Sequence, residues 1–272
     1  LSTLVWLRRD LRLHDHAALH EACRGTEAVH IAFVFDTDIL ATLPRQDRRV
    51  EFILCALQDI EQQLRARGVG LIVRHGRAAE EIPKLALELA VQRVVFAHDD
   101  DPYALRRDIQ VAQALPGVEV RSLRDVTVFE RRELLTGTGK PYTVFTPYKN
   151  AWLKAVSDRQ LSAWPIEPHA GALVDRPESA LARVPTLADI GFEPTNLRDL
   201  GITPGERAGS ALFESFLGRI DAYDEQRNFP AVKGPSYLGV HLRFGTVSIR
   251  ALASQGWQRQ GSAGAATWLS EL

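Results

Sequence analysis

Residues 3–19 read TLVWLRRDLRLHDHAAL. The apolar run Thr3–Leu7 is short and β-rich, a charged loop follows, and a helical pattern begins near His16, so strand, loop and helix succeed one another. Comparable runs recur at Val29–Phe35, Leu71–Val73, Val94–Phe96 and Val118–Val120, with longer helical patterns between them. That alternation implies a parallel sheet covered by helices. Five strands and four helices by about residue 125 predict an α/β fold: a five-stranded parallel, doubly wound (Rossmann-like) domain.

Local signals support the reading. After Asp47, the residues Val50, Ile53, Leu54, Leu57, Ile60 and Leu64 form one apolar helical stripe, with Glu51, Gln58, Glu61 and Arg65 expected outside and Gly68 closing the helix. Asp15 and Asp101 read as N-caps, the second followed by Pro102 at the first helical position. From Ser157 to Leu200 prolines recur too closely for regular elements, which predicts a long surface connection. Beyond Pro204 the pattern is helical, with Leu212, Phe213, Phe216, Leu217, Ile220 and Tyr223 on one face. The expected division is an α/β domain over 1–128, an interdomain linker over 129–200 and a helical segment over 201–272.

A chain of 272 residues, 45% hydrophobic and 25% charged, has a globular balance. Its formal charge of -1 means that any contact with nucleic acid must come from a local basic patch. Cys23 and Cys55 provide neither a disulfide framework nor a zinc site. No apolar run is long enough to span a membrane, and no signal peptide opens the chain, so a cytoplasmic monomer without membrane contact is expected. The absence of methionine suggests a processed or trimmed N-terminus.

Several polar groups compete as sites. No G-x-G-x-x-G follows the first strand, and Gly137-Thr138-Gly139-Lys140 lacks the first glycine of a phosphate loop, so it reads as a turn. His98, Asp99, Asp100 and Asp101 could ligate a hard cation, and so could His14, Asp15 and His16; a solvated turn and a cap account for them, and no metal is expected. A small-molecule site over Asp10, Asp36, His75 and His98 would lie at the carboxyl ends of the strands, where such sheets bind ligands. Later in the chain, RNFPAVKGPSYLGVHLRFG (227–245) interrupts a helix with Pro230 and Gly234 and places Ser236 where it could cap the next one, opening an anion site at that helix N-terminus.

Three stretches, VWLRRDLRLHDHAAL, PYTVFTPYKNAW and DAYDEQRNFPAVKGPSYLGVHLRFGTVSIR, resemble the DNA photolyases and cryptochromes, most closely class I cyclobutane pyrimidine dimer photolyases, across essentially the whole chain. The resemblance implies that residues 201–272 open an all-α domain that binds FAD. It matches Tyr223, Ser236, Tyr237, Leu238 and Gly239 to contacts of the flavin diphosphate. Two departures stand out: Pro235 replaces a threonine and removes an N–H, while Gly239 replaces a serine but keeps its backbone donor. Arg227 matches a residue that grips the DNA backbone, and Glu271 the catalytic glutamate that hydrogen-bonds the lesion. In an apolar, flavin-lined pocket such a carboxylic acid would have a raised pKa and could donate to the lesion's carbonyl.

The activity implied is light-driven repair of pyrimidine dimers in damaged DNA by electron transfer from reduced FAD to a flipped-out dimer. An antenna chromophore, folate or deazaflavin, is implied near the first domain. Tyr103 and Ala104 stand where folate-binding members carry asparagine and glutamate, and the antenna stays open between the two. The match runs out at Leu272, before the family's remaining helices, so the chain by itself is expected neither to retain FAD nor to repair DNA. A cryptochrome-type flavin photoreceptor and a stand-alone nucleotide-binding α/β module are the alternatives.

Overall fold

The computed structural model describes residues 1–25, 27–180 and 183–272. Five strands, β1 (Ser2–Leu7), β2 (Ala28–Asp36), β3 (Ile72–Gly76), β4 (Arg93–Ala97) and β5 (Glu119–Leu123), form one parallel sheet in the order β3-β2-β1-β4-β5. Central β1 is buried along nearly its whole length, whereas edge strand β5 alternates exposed and half-buried residues. That exposure explains the register of β5: Arg121 and Ser122 continue the strand past the apolar run that announced it.

Helices α1 (Ala17–Cys23), α2 (Thr37–Leu40), α3 (Arg48–Arg65), α4 (Ala78–Glu88) and α5 (Pro102–Gln113) connect the strands. Because successive strand side chains point to opposite faces, Val5, Leu7, Ile31, Phe33 and Val95 pack with α1 and α3, while Leu4, Trp6, Val34, Val94 and Phe96 pack with α4 and α5. The stripe of α3 is buried as expected, and Gly68 takes the left-handed φ of 72° that stops the helix. Glu51, expected outside, is instead buried and accepts hydrogen bonds from the Thr195 backbone N–H at 2.8 Å and from its hydroxyl. Asp101 caps α5 as read, accepting from Tyr103 N at 2.9 Å. Asp15 caps nothing: His16 is the N-cap of α1, its Nδ1 accepting from Leu19 N at 3.2 Å, and Asp15 turns inward at φ 48°.

From residue 162 to 200 the described residues carry only short 3-10 turns, as closely spaced prolines require, yet they are more than a surface connection. Past α6 (Phe145–Ala155) and α7 (Asp158–Leu161), the side chains of Ile166, Leu173, Val184, Ile190, Phe192 and Leu197 join the main core, so this segment clasps the α1–α3 side of the sheet. Helices α8 (Glu206–Leu217), α9 (Tyr223–Gln226), α10 (Gly239–Phe244), α11 (Ile249–Gln258) and α12 (Ala263–Glu271) then close around Phe213, Phe216, Ile220, Leu252 and Trp268.

Two devices join these helices to the sheet. At Gly245, φ is 65° and an added Cβ would lie 2.1 Å from the Arg9 carbonyl, so only glycine lets the chain after α10 touch the loop after β1. Beside it, Arg12 and Arg250 enclose Asp15 and Asp125: Arg12 Nη2 to Asp125 Oδ2 is 2.7 Å, and Arg250 Nη2 is 3.0 Å from both Asp125 Oδ1 and Asp15 Oδ1. Ser248 donates to Asp15 as well, and Trp164 N reaches it at 2.6 Å. Burial pushes the Asp125 carboxyl upward, but the neighbouring cations, Arg12 foremost, outweigh it and hold the group far below the usual carboxylate range.

Candidate functional site

Among the described residues, two candidate places relate to the residues singled out from sequence. The first is the cluster at α9 and α12. Tyr223 opens α9 with its ring edge-on to Phe216 at 5.8 Å, which buries the ring and aims the hydroxyl toward α12. One helical turn on, Arg227 follows at i+4 on the same face. Helix α12 can approach because Gly264, near its start, lies where a Cβ would sit 2.3 Å from the Ile220 carbonyl. Its last residue is Glu271, whose carboxylate accepts from the Tyr223 hydroxyl and pairs with the Arg227 guanidinium. A carboxylate at a helix C-terminus opposes the helix dipole, and Arg227 supplies the compensating charge.

The structure thus brings together Tyr223, Arg227 and Glu271, three of the residues singled out from sequence. It also changes their surroundings: the Glu271 side chain is 41% exposed and held by a guanidinium that is itself 35% exposed, not enclosed by apolar walls. Ser236, Tyr237, Leu238 and Gly239 lie on the loop before α10, and among the described residues none of them hydrogen-bonds to the cluster. Ser236 does not cap α10. That helix begins at Gly239 behind Leu238, and the Ser236 hydroxyl only accepts from Leu238 N at 3.5 Å. The reason is local: Tyr237 adopts a left-handed φ of 59°, which turns the chain between Ser236 and the helix. Leu238 is buried against the same apolar group as Tyr223, and Gly239 is exposed with open space beside its Cα. The loop is anchored by Gly234, packed against the backbone of Gln226, and by Arg219, which donates to the Pro235 carbonyl at 3.0 Å.

The second place is a cavity of about 480 Å³ at the carboxyl ends of β1, β2 and β4. It lies at the switch point of the sheet, where β1 is flanked by β2 on one side and β4 on the other. Apolar walls come from Phe35, Leu40, Val50 and Ile53, and Phe244 of α10 reaches in from the helical side. On the opposite wall two guanidiniums approach the Trp6 ring, Arg8 at 4.9 Å and Arg107 at 4.6 Å from its centroid. Asp108 holds Arg8 with two contacts of 2.6 and 2.7 Å. Tyr103 donates to Asp36 at 2.7 Å; burial, then this hydrogen bond, push its hydroxyl pKa up.

Of the four residues that sequence placed at this end of the sheet, only Asp36 lines the cavity. Asp10 is fully buried beside His16 Nε2 at 3.1 Å, His75 is exposed, and His98 stands apart from the lining. Trp6 and Arg8 went unnoticed, although their i, i+2 spacing across the end of a strand was a usable signal. Arg107 carried none, because its partner ring lies in another element. The stretch at residues 136–140 is a turn, as read, with Gly139 N donating to the Thr136 carbonyl at 2.9 Å.

A doubly wound sheet with an aromatic, arginine-lined cavity at its switch point, joined to a helical segment, is an α/β architecture of the kind that places ligand sites at the carboxyl ends of its strands. A family model described as DNA photolyase matches residues 3–168, and the chain belongs to that family. It is 34% identical over 271 residues to the deoxyribodipyrimidine photo-lyase of Synechococcus sp. (strain ATCC 27144 / PCC 6301 / SAUG 1402/1), covering 96% of this chain and 54% of that protein. An uncharacterised 31.6 kDa protein of Synechococcus sp. (strain PCC 6716) is 32% identical, with 92% of this chain and 87% of that protein covered. Among solved structures, a class III photolyase from Agrobacterium tumefaciens superposes with a TM-score of 0.83 at 25% identity, covering 99% of this chain and 55% of that one. An archaeal photolyase from Sulfolobus tokodaii, described with two FAD molecules, shares the fold at a TM-score of 0.77 and 22% identity, covering 100% of this chain and 57% of that one. The chain spans about half the length of the curated photo-lyases it matches.

Proposed function

We propose that this chain is the sheet-bearing part of a deoxyribodipyrimidine photo-lyase, an enzyme that uses light to split cyclobutane pyrimidine dimers in damaged DNA. The observation that carries the proposal is the meeting of Tyr223, Arg227 and Glu271 on α9 and α12, in a chain that belongs to the photolyase family. FAD, when bound and reduced, supplies on illumination the electron that opens the cyclobutane ring. The residues present fit one side of that ligand. Gly239 leaves open space above the first turn of α10, whose leading N–H groups have no acceptor within the helix, and Ser236 and Tyr237 border it. On this reading residues 201–272 open the FAD-binding helical domain, 1–128 form the antenna domain, and 129–200 join them.

Each residue of the cluster then has a task. Arg227, partly exposed, would take a phosphate of the DNA backbone in a bidentate, sequence-independent grip. Glu271 would exchange its guanidinium partner for the lesion, with the Tyr223 hydroxyl orienting it. The cavity over β1 and β4 would hold the antenna. Its flat aromatic wall, its cations and the Tyr103–Asp36 pair suit a planar heteroaromatic ring with a polar tail, and Tyr103 with Ala104 departs from the folate pattern, which favours a deazaflavin-type chromophore.

The test is illumination of thymine-dimer DNA with the protein that carries this chain, after reconstitution with FAD. Light-dependent loss of dimers that falls sharply in Glu271→Ala supports the reading. Flavin photochemistry without any loss of dimers would replace it with that of a signalling photoreceptor.

A further inference from the structure

Of the four polar residues that follow β4, the structure separates the roles. Asp101 caps α5, and Asp99 faces Arg9, whose Nη1 lies 3.3 Å from its Oδ1. His98 and Asp100 turn the other way and meet Glu130, contributed by the segment after β5. His98 Nε2 is 3.0 Å from Asp100 Oδ1 and 3.9 Å from Glu130 Oε2, and one ligand atom from each of the three lies within 4.8 Å of the others.

From this geometry we infer a binding site for a divalent first-row transition metal, zinc in preference to manganese, formed by His98, Asp100 and Glu130. An imidazole with two carboxylates is a nitrogen–oxygen donor set that suits such ions, whereas magnesium and calcium prefer oxygen alone. Donors around a tetrahedral zinc sit roughly 3.3 Å apart, given bonds of about 2 Å. The His98 distances already bracket that spacing.

The backbone on both sides is held in place. His98 N donates to the Leu123 carbonyl at 2.7 Å, which ties the residue to β5. Glu130 N donates to Glu133 at 2.8 Å, and Arg124 holds Glu133 in turn at 2.6 Å. His98 and Glu130 are half-buried, which leaves room for water as a fourth ligand. In the metal-free protein Arg131, 3.2 Å from Asp100, neutralises the carboxylate and must swing away as the ion enters. None of the three ligands lines the cavity over β1, although Asp99 and Asp101 on either side of Asp100 do. Its effect would be to pin the segment after β5 to the end of β4.

Titration of the chelator-treated full chain with zinc chloride, followed by calorimetry, tests this. One saturable site per chain is expected, with affinity reduced by about tenfold or more in His98→Ala and in Glu130→Gln, and increased in Arg131→Ala, which removes the competing cation. Zinc is expected to raise the melting temperature of the wild type more than that of Glu130→Gln at the same zinc concentration, a readout that survives if His98→Ala folds poorly. Absence of saturable zinc uptake by the wild type, or equal uptake by wild type and Glu130→Gln, overturns the proposal.

Discussion

Two clusters in this chain use the same chemistry, guanidinium against carboxylate, in opposite settings. Arg12, Arg250, Asp15 and Asp125 are sealed, with the Arg250 side chain 1% exposed; Arg227 and Glu271 stand at 35% and 41%. In the sealed cluster every guanidinium nitrogen has a fixed partner, drawn from the loop after β1, the segment after β5 and the turn after α10. The open one rests on two helix ends and faces water. Burial therefore separates architecture from availability: the first cluster holds the helices to the sheet, and the second is left open to solvent.

The largest test of that contrast removes Arg250. Arg250→Leu leaves Asp15 and Asp125 short of a cation inside the protein, and breaking one partner out of a buried pair costs about 3–5 kcal/mol. Urea unfolding is expected to show a midpoint shift of that size with the slope unchanged. A shift below about 1 kcal/mol, the scale of exposed pairs, would mean that the sealed cluster is no more structural than the open one.

Acid provides the next test. Burial lowers the imidazole of His241, packed against Phe52 and hydrogen-bonded to Thr246 at 2.7 Å, to about 4. The unfolded chain, with an ordinary imidazole near 6.5, takes up the proton first as pH falls. Stability from this group is therefore complete above about pH 6.5 and declines toward pH 4, by roughly 3 kcal/mol in all. Asp125, whose carboxyl is depressed in the fold, acts in the same direction lower down: its contribution is present above about pH 4 and is lost below it. Unfolding midpoints at pH 7.5 and 4.5 should differ strongly in the wild type and much less in His241→Gln. Equal pH dependence in both would place the acid sensitivity elsewhere.

The same contrast marks what could be read from the sequence. Strands, the α3 stripe, the Asp101 cap and the stop at Gly68 are set by neighbours within a few residues, and periodicity reveals them. Asp15, Glu51 and Ser236 were misassigned because distant or unusual geometry decides their fate: Arg250 lies 235 positions from Asp15, and Thr195 lies 144 from Glu51. At the candidate site, Tyr223 was legible on the apolar helix face, while Arg227 and Glu271 entered through family resemblance and only the fold shows that Glu271 touches both. The cavity was foreseen as a location at the strand ends. Its lining was not, since Trp6, Arg107 and Tyr103 meet through packing between a strand and a helix.

The smallest expected effect falls on the open cluster, where it is also the most informative. Exposed ion pairs contribute about 0.2–1 kcal/mol, because water screens the charges and two long side chains must be held in place. A double-mutant cycle of Arg227→Ala and Glu271→Gln should return a coupling energy within that range, shrinking further as salt is raised. On the proposed reading, a pair this cheap to break would let a phosphate or a lesion carbonyl replace one partner without unfolding α9 or α12. A coupling energy of about 3 kcal/mol or more, the buried-pair scale, would mean that the two side chains are locked to each other, and the role proposed for them in gripping DNA would have to move to other residues.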